Sequence, residues 1–169
     1  MEKALFIVDY DPTWRVTFEK LSGRIRYAMH GIPAEVEHVG STAVPGLAAK
    51  PIIDIDLVVP SVAELPEAIG RLEVLGYVHE GDLGITGREA FRAPPGDPNH
   101  HLYLCTADSP ALRAHRLFRD RLRADASLAR RYAELKRRLA TRFATDRDAY
   151  TEAKTAFVRE VLAAKTSWK

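Results

Sequence analysis

Asp54 and Asp56 alternate with Ile53, Ile55 and Leu57 in the run Pro51-Ile-Ile-Asp-Ile-Asp-Leu-Val-Val59. In an extended strand successive side chains leave opposite faces, so the two carboxylates share one face and the three aliphatic residues the other. Residues two apart on a strand are separated by ~6.5–7 Å at Cα. Their carboxylates can therefore converge on one hard divalent cation or serve two. Like charges on a half-buried strand repel, and each is costly to bury; a cation relieves both costs. The competing account is a strand whose polar face lies in water, and spacing alone does not choose between them. Just upstream stands Gly40-Ser41. A Gly-Ser turn feeding a helix start offers backbone N–H groups and a hydroxyl to a phosphate, and glycine permits close approach. The spacing from Gly40 to Gly46 and Lys50 is not that of a P-loop, and Pro51 follows the lysine where a hydroxyl residue would be needed. An ordinary tight turn accounts for Gly40-Ser41 equally well when taken alone.

Taken together, Gly-Ser, a loop and then Asp-x-Asp on a strand resemble the signature of the polymerase-β-like nucleotidyltransferases. Within them the chain more closely resembles the GrpB family, over nearly its whole length. The residues that carry this are Tyr10-Asp-Pro-x-Trp14, Gly40-Ser-Thr-Ala-Val-Pro-Gly46, Lys50-Pro-Ile-Ile-Asp-Ile-Asp56 and His101-Leu-Tyr-Leu104. Arg116-x-x-x-Asp120, Tyr132-x-x-Leu-Lys136 and Tyr150-x-x-x-Lys154 support it downstream. The resemblance implies Gly40 and Ser41 on nucleotide phosphates, Asp54 and Asp56 as catalytic residues on Mg²⁺ (or Mn²⁺), and nucleotidyl transfer to a small-molecule acceptor. Such proteins usually add a third carboxylate from a neighbouring strand. The matching strand is His100–Cys105, where Leu102 and Leu104 face the core and His101 and Tyr103 the site. Neither is a carboxylate, and the family pattern favours His-x-His there. His101 is accordingly expected in the metal shell, an imidazole that would tolerate Mn²⁺, Ni²⁺ or Zn²⁺. The alternative is a non-catalytic nucleotide or phosphometabolite binding module. GrpB-like domains fused to dephospho-CoA kinases make coenzyme A metabolism a context by association.

Other candidates follow from residue type. Lys50 can reach a phosphate as a point charge. Arg88 and Arg92 flank Glu89 on a hairpin and can clamp a phosphate or carboxylate in bidentate fashion. His38 fits a packed strand-end histidine that orients the loop. Arg116, Lys136 and Lys154 lie on basic helices, at least one of them expected to face the cleft. Cys105, without a base partner, reads as core.

These residues need elements to hold them. Asp11-Pro12 opens a helix whose Trp14, Phe18, Leu21, Ile25 and Met29 recur at helical spacing before Gly31. Strands are expected at 35–39, 51–59, 77–80, 89–93 and 100–106, with a loop or brief helical turn at 40–50. Ser61 and Glu64 form a capping-box pattern for a helix ending at Gly76. From Ser109 the pattern is helical: one helix to about Arg123, a second capped by Asp125 to about Ala144, a third from Thr145 or Asp146 to about Lys165. The fold class is α+β: a nucleotidyltransferase-like mixed β-sheet with flanking helices, followed by a C-terminal helical segment. A core over 1–108 and a basic helical segment over 109–169 are expected to pack as one domain.

The net charge of +2 conceals an asymmetry. Residues 1–112 carry 9 Lys/Arg against 16 Asp/Glu, and residues 113–169 carry 16 against 7. The basic third suggests an anionic partner, a nucleotide or phosphorylated small molecule, or simply docking onto the acidic part. Scattered aromatics give no stacking platform for nucleic acid. Apolar runs as short as Ala4–Val8 are far from the ~20 residues of a membrane helix. No signal-peptide pattern and a single cysteine point to a reducing, cytoplasmic setting.

Overall fold

The computed structural model describes residues 5–164. Strands β1 (Glu35–Val39), β2 (Ile53–Val59), β3 (Val78–Gly81), β4 (Glu89–Arg92) and β5 (His100–Thr106) form one mixed sheet in the order β1-β2-β5-β4-β3. β2 and β5 pair in parallel at its centre, and the other pairings are antiparallel. The parallel register sets Asp54 opposite His101 and Asp56 opposite Tyr103. Strand alternation therefore puts all four on one face.

Helices α1 (Thr13–Ala28) and α2 (Leu65–Val74) cover the other face. Ile53, Ile55, Leu57, Leu102 and Leu104 pack there against Trp14, Phe18, Leu21 and Ile25 of α1 and Ala68 and Leu72 of α2. The aliphatic periodicity of these segments is what this burial requires. Asp11 accepts a hydrogen bond from the Thr13 N–H at 2.8 Å at the start of α1. The capping box at Ser61 and Glu64 is present, but the chain first makes a 3-10 turn over Val62–Glu64 and becomes α-helical at Leu65. β2 starts at Ile53 rather than Pro51, because proline has no N–H and the Ile52 N–H turns back to the Lys50 carbonyl at 2.8 Å.

The face bearing the carboxylates is covered by α3 (Pro110–Ala124), α4 (Ala126–Arg142) and α5 (Arg147–Ala163). Leu112 of α3 packs on Val58 and Cys105. Val44, Leu47 and Ala48 of the 40–50 loop pack with Leu122, Tyr132 and Ala133. Asp125 and Asp146 cap α4 and α5 as their positions suggest. Lys165, where the last helix was expected to end, lies outside the described residues. Charge reinforces the docking of these helices. Glu37 of β1 accepts from both Arg116 and Arg119, Arg119 also reaches the His38 carbonyl at 3.1 Å, and Arg123 reaches the Ala43 carbonyl at 2.9 Å. A water-facing polar side for β2 is thereby excluded. No helix among the described residues is long and apolar enough to cross a membrane.

Leu57 is fully buried in the main core. Leu57→Ala should lower unfolding stability by about 2–5 kcal/mol, read as a lower urea midpoint with an unchanged slope.

Candidate functional site

Gly40 adopts φ 72° and ψ −173°, a conformation that favours glycine. A Cβ at this position would stand 2.9 Å from Asp54 Cγ and collide with Asp54 Oδ2. Glycine is thus required here because the Asp54 carboxylate packs against its α-carbon, a reason independent of any phosphate. The chain then turns through Ser41–Ala43. His38 braces this turn from beneath, with Nε2 2.9 Å from Thr42 Oγ1 and its ring stacked on Phe18 at 4.6 Å between centroids. Burial pushes the His38 imidazole down to about 4, against the pull of the Asp54 charge, so it is neutral near pH 7.

The two strand carboxylates occupy different environments. Asp54 is partly exposed, and its Oδ1 lies 2.9 Å from His101 Nδ1. Asp56 is fully buried: Oδ2 lies 2.8 Å from His115 Nδ1, whereas Oδ1 has no hydrogen-bond partner. A buried carboxylate oxygen without a donor is rare and costly. Burial opposes protonation of His115, but its hydrogen bond to Asp56 and the charge there prevail and raise its pKa. Sequence reasoning missed His115. Its signal was its place on the inward stripe of α3, between Leu112 and Arg119–Leu122, where an imidazole needs a polar partner.

A cleft of about 510 Å³ lies between this sheet face, the 40–50 loop and helices α4 and α5. Gly40, Ser41, Lys50, Asp54 and His101 line it together, joined by Arg88, Tyr103, His115, Lys136 and Lys154. Both helical lysines face the cleft. Lys136 Nζ donates to Ser41 Oγ at 3.0 Å and to the Ala48 carbonyl at 2.5 Å, tying α4 to the loop. Arg88 lies over the Tyr103 ring at 4.2 Å. Burial, then neighbouring lysines, push Lys136 down to about 7 and Lys154 to about 8.

Two expected participants, Arg92 and Arg116, stand elsewhere. Arg92 is exposed, 3.8 Å from Glu80, and lines an adjoining groove of about 470 Å³ rather than the cleft. Arg92 lies on β4, the strand beyond β5 from Asp54, at the end where it pairs with Val78 of β3. Arg116 is engaged by Glu37. His101 turns Nδ1 to Asp54, and among the described residues no three His, Cys, Asp or Glu side chains form a metal-binding group. What remains is a pair of carboxylates: Asp54 lines the cleft, while Asp56 is fully buried, is not among the lining residues, and has one oxygen without a hydrogen-bond partner. That donor set fits a hard cation that retains water and takes substrate oxygens, as Mg²⁺ does.

A Gly-Ser turn, an Asp-x-Asp strand beside a parallel partner, and a helical wall over that face define a nucleotidyltransferase-like fold. Cid1 poly(U) polymerase shares it with a TM-score of 0.59 at 14% identity, over 87% of this chain and 50% of that one. More narrowly, the chain belongs to the GrpB family, whose model, described as GrpB protein, matches residues 4–164. The crystal structure of conserved protein GrpB from Enterococcus faecalis superposes with a TM-score of 0.83 at 32% identity, covering 92% of this chain and 94% of that one. A UPF0157 protein of Pseudomonas aeruginosa is 41% identical over 162 residues, 92% of this chain and 65% of that protein. The chain spans about half the length of two other relatives. These are YqkA of Bacillus subtilis, 31% identical over 96% of this chain and 48% of its own, and a dephospho-CoA kinase of Mycolicibacterium paratuberculosis, 28% identical over 96% and 46%.

Gly40→Ala should destabilise the fold by about 1–3 kcal/mol through backbone strain alone, with the Asp54 clash added, and denaturant melts would show it. His38 yields a pH prediction. Its folded pKa lies below the ordinary value, so its stabilising contribution is present above ~6.5 and is lost as pH falls toward about 4. Thermal melts of the wild type should fall more steeply across that window than those of His38→Gln.

Proposed function

We propose that this protein is a divalent-metal-dependent nucleotidyltransferase acting on a small-molecule acceptor. The observation that carries the proposal is the partnerless Oδ1 of buried Asp56, two residues from Asp54 on the face that borders the cleft. Asp54 and Asp56 would hold Mg²⁺ or Mn²⁺, which when bound neutralises charge at the transferring phosphate. Ser41 and the Gly40 backbone meet the nucleotide phosphates, with Lys50 and Lys136 as point charges beside them. His115 holds Asp56 in place from α3. His101, donating Nδ1–H to Asp54, keeps Nε2 free to take the proton of the acceptor hydroxyl. Arg92, in the adjoining groove beside His101, is assigned to an anionic group of the acceptor rather than to the nucleotide. The helical wall of α4 and α5 leaves room for a small acceptor. Relatives named dephospho-CoA kinase make coenzyme A precursors the first acceptors to try. A non-catalytic nucleotide or phosphometabolite binding module is the second reading, favoured by His101 and Tyr103 standing on β5 in place of a third carboxylate.

Thermal-shift titration with nucleoside triphosphates, with and without Mg²⁺ or Mn²⁺, tests the proposal. Wild type should gain about 2.7 kcal/mol at a hundredfold excess over Kd. Asp54→Asn and Asp56→Asn should remain folded yet lose the metal-dependent part of that gain. Binding as in wild type by both variants would overturn the metal assignment. His101→Ala should keep metal and nucleotide binding while transfer falls by about 10²–10⁴-fold. If it loses metal instead, His101 belongs in the metal shell.

A further inference from the structure

Tyr150 on α5 carries two amines over its ring, Lys50 Nζ at 4.1 Å and Lys154 Nζ at 4.4 Å from the centroid. Lys136 Nζ lies 4.5 Å from the ring of Tyr132. All three lysines line the one cleft, with Arg88, and Asp54 is the only carboxylate among the described residues lining it. Aromatic faces attract cations but neutralise no charge. The cleft thus concentrates positive charge, most of it without a carboxylate opposite. Lys136 adds a constraint of hydrogen count. A neutral amine has two N–H donors, and Ser41 and Ala48 occupy two. A third donor, for anything in the cleft, exists only when the amine is protonated.

We propose that Lys50, Lys136 and Lys154, set against Tyr132 and Tyr150, form a proton-coupled polyphosphate site: a ligand with consecutive phosphoryl groups draws solvent protons onto the amines of Lys136 and Lys154 as it binds, so that each has a donor to offer it. The inference rests on the nucleotide reading of the cleft and names a di- or triphosphate tail as what the cleft selects.

The groups facing these amines agree. Lys136 feels burial first, then Lys154, Arg137 and Lys50 against the single opposing charge of Asp54. Lys154 feels burial, Lys50 and Asp54, and Lys50 is lowered by burial and by Arg147 against Asp54. The Tyr132 and Tyr150 phenols are pushed up by burial and stay neutral. Lys136 near 7 and Lys154 near 8 are both charged at pH 6 and largely or half neutral at pH 8. A polyanion restores the proton, because its charge favours the ammonium form.

The experiment is calorimetric titration of the full chain with sodium tripolyphosphate, EDTA present, in two buffers of different ionisation enthalpy at pH 6 and pH 8. Expected are uptake of about one proton at pH 8, close to none at pH 6, and an affinity about 10- to 100-fold weaker at pH 8 than at pH 6. Orthophosphate should bind far more weakly. Lys154→Arg keeps a charge at every pH, so it should still bind but take up fewer protons at pH 8. Lys154→Met should lose both affinity and uptake. The Arg variant separates the protein's protons from those the ligand itself exchanges. Equal proton counts in wild type and Lys154→Arg, equal affinity for orthophosphate, or no binding by the folded protein would each overturn the inference. The probe contains neither nucleoside nor metal, so its failure is distinct from failure of the transferase reading. Asp54→Asn should still bind tripolyphosphate even where it abolishes transfer.

Discussion

Asp56 lies in the middle of β2 with none of its side chain reaching solvent, and a carboxylate taken out of water costs several kcal/mol unless the protein answers its charge. Much of the architecture can be read as that answer. His115 must come down from α3 to meet Oδ2, so α3 must cross this face of the sheet. For α3 to cross, Val58 and Cys105 must present an apolar seat for Leu112, and Glu37 must hold Arg116 and Arg119. Only Oδ1 is left unanswered. The uncompensated atom stands two residues along the strand from Asp54, which lines the cleft, and the energy to keep it so comes from packing on both faces of that strand.

The charge asymmetry between the two parts of the chain resolves into two populations of basic side chains. Arg116, Arg119, Arg123 and Arg137 are spent on carboxylates and carbonyls of the first part, and they fix the helices to the sheet. Lys50, Lys136 and Lys154 turn inward instead. Arginine suits the first task, with its forked donors and permanent charge. Lysine suits the second, because its proton is exchangeable when it is desolvated. Apart from Arg88, which also lines the cleft, residue type follows role.

The fold was legible in the sequence wherever one face of an element had to be apolar. The α1 stripe, β1 and β5 matched their expected spans because each carries a simple period or clear flanking turns. The edges of β2 and α2 shifted by two to four residues, where a proline and a 3-10 turn replaced the expected first hydrogen bonds. Around the cleft, Gly40, Ser41, Asp54 and His101 were found together because they lie close in sequence or on paired strands. His115 was not, since its partner is 59 positions away and only the docking of α3 brings it there. Arg92 was placed too near for the complementary reason: a hairpin arginine looks available in sequence, and only the sheet order shows that β4 lies beyond β5.

Cys105 occupies the seam between the sheet and α3, 1% exposed, against Val58 and Leu112. Burial pushes its thiol up to about 12, so thiolate is scarce while the seam is closed. Alkylating reagents can then react appreciably only during excursions that lift α3 away. The native cysteine is therefore a built-in stopwatch: its labelling rate counts how often the helical wall leaves the strand that bears Asp56, with no engineered probe needed.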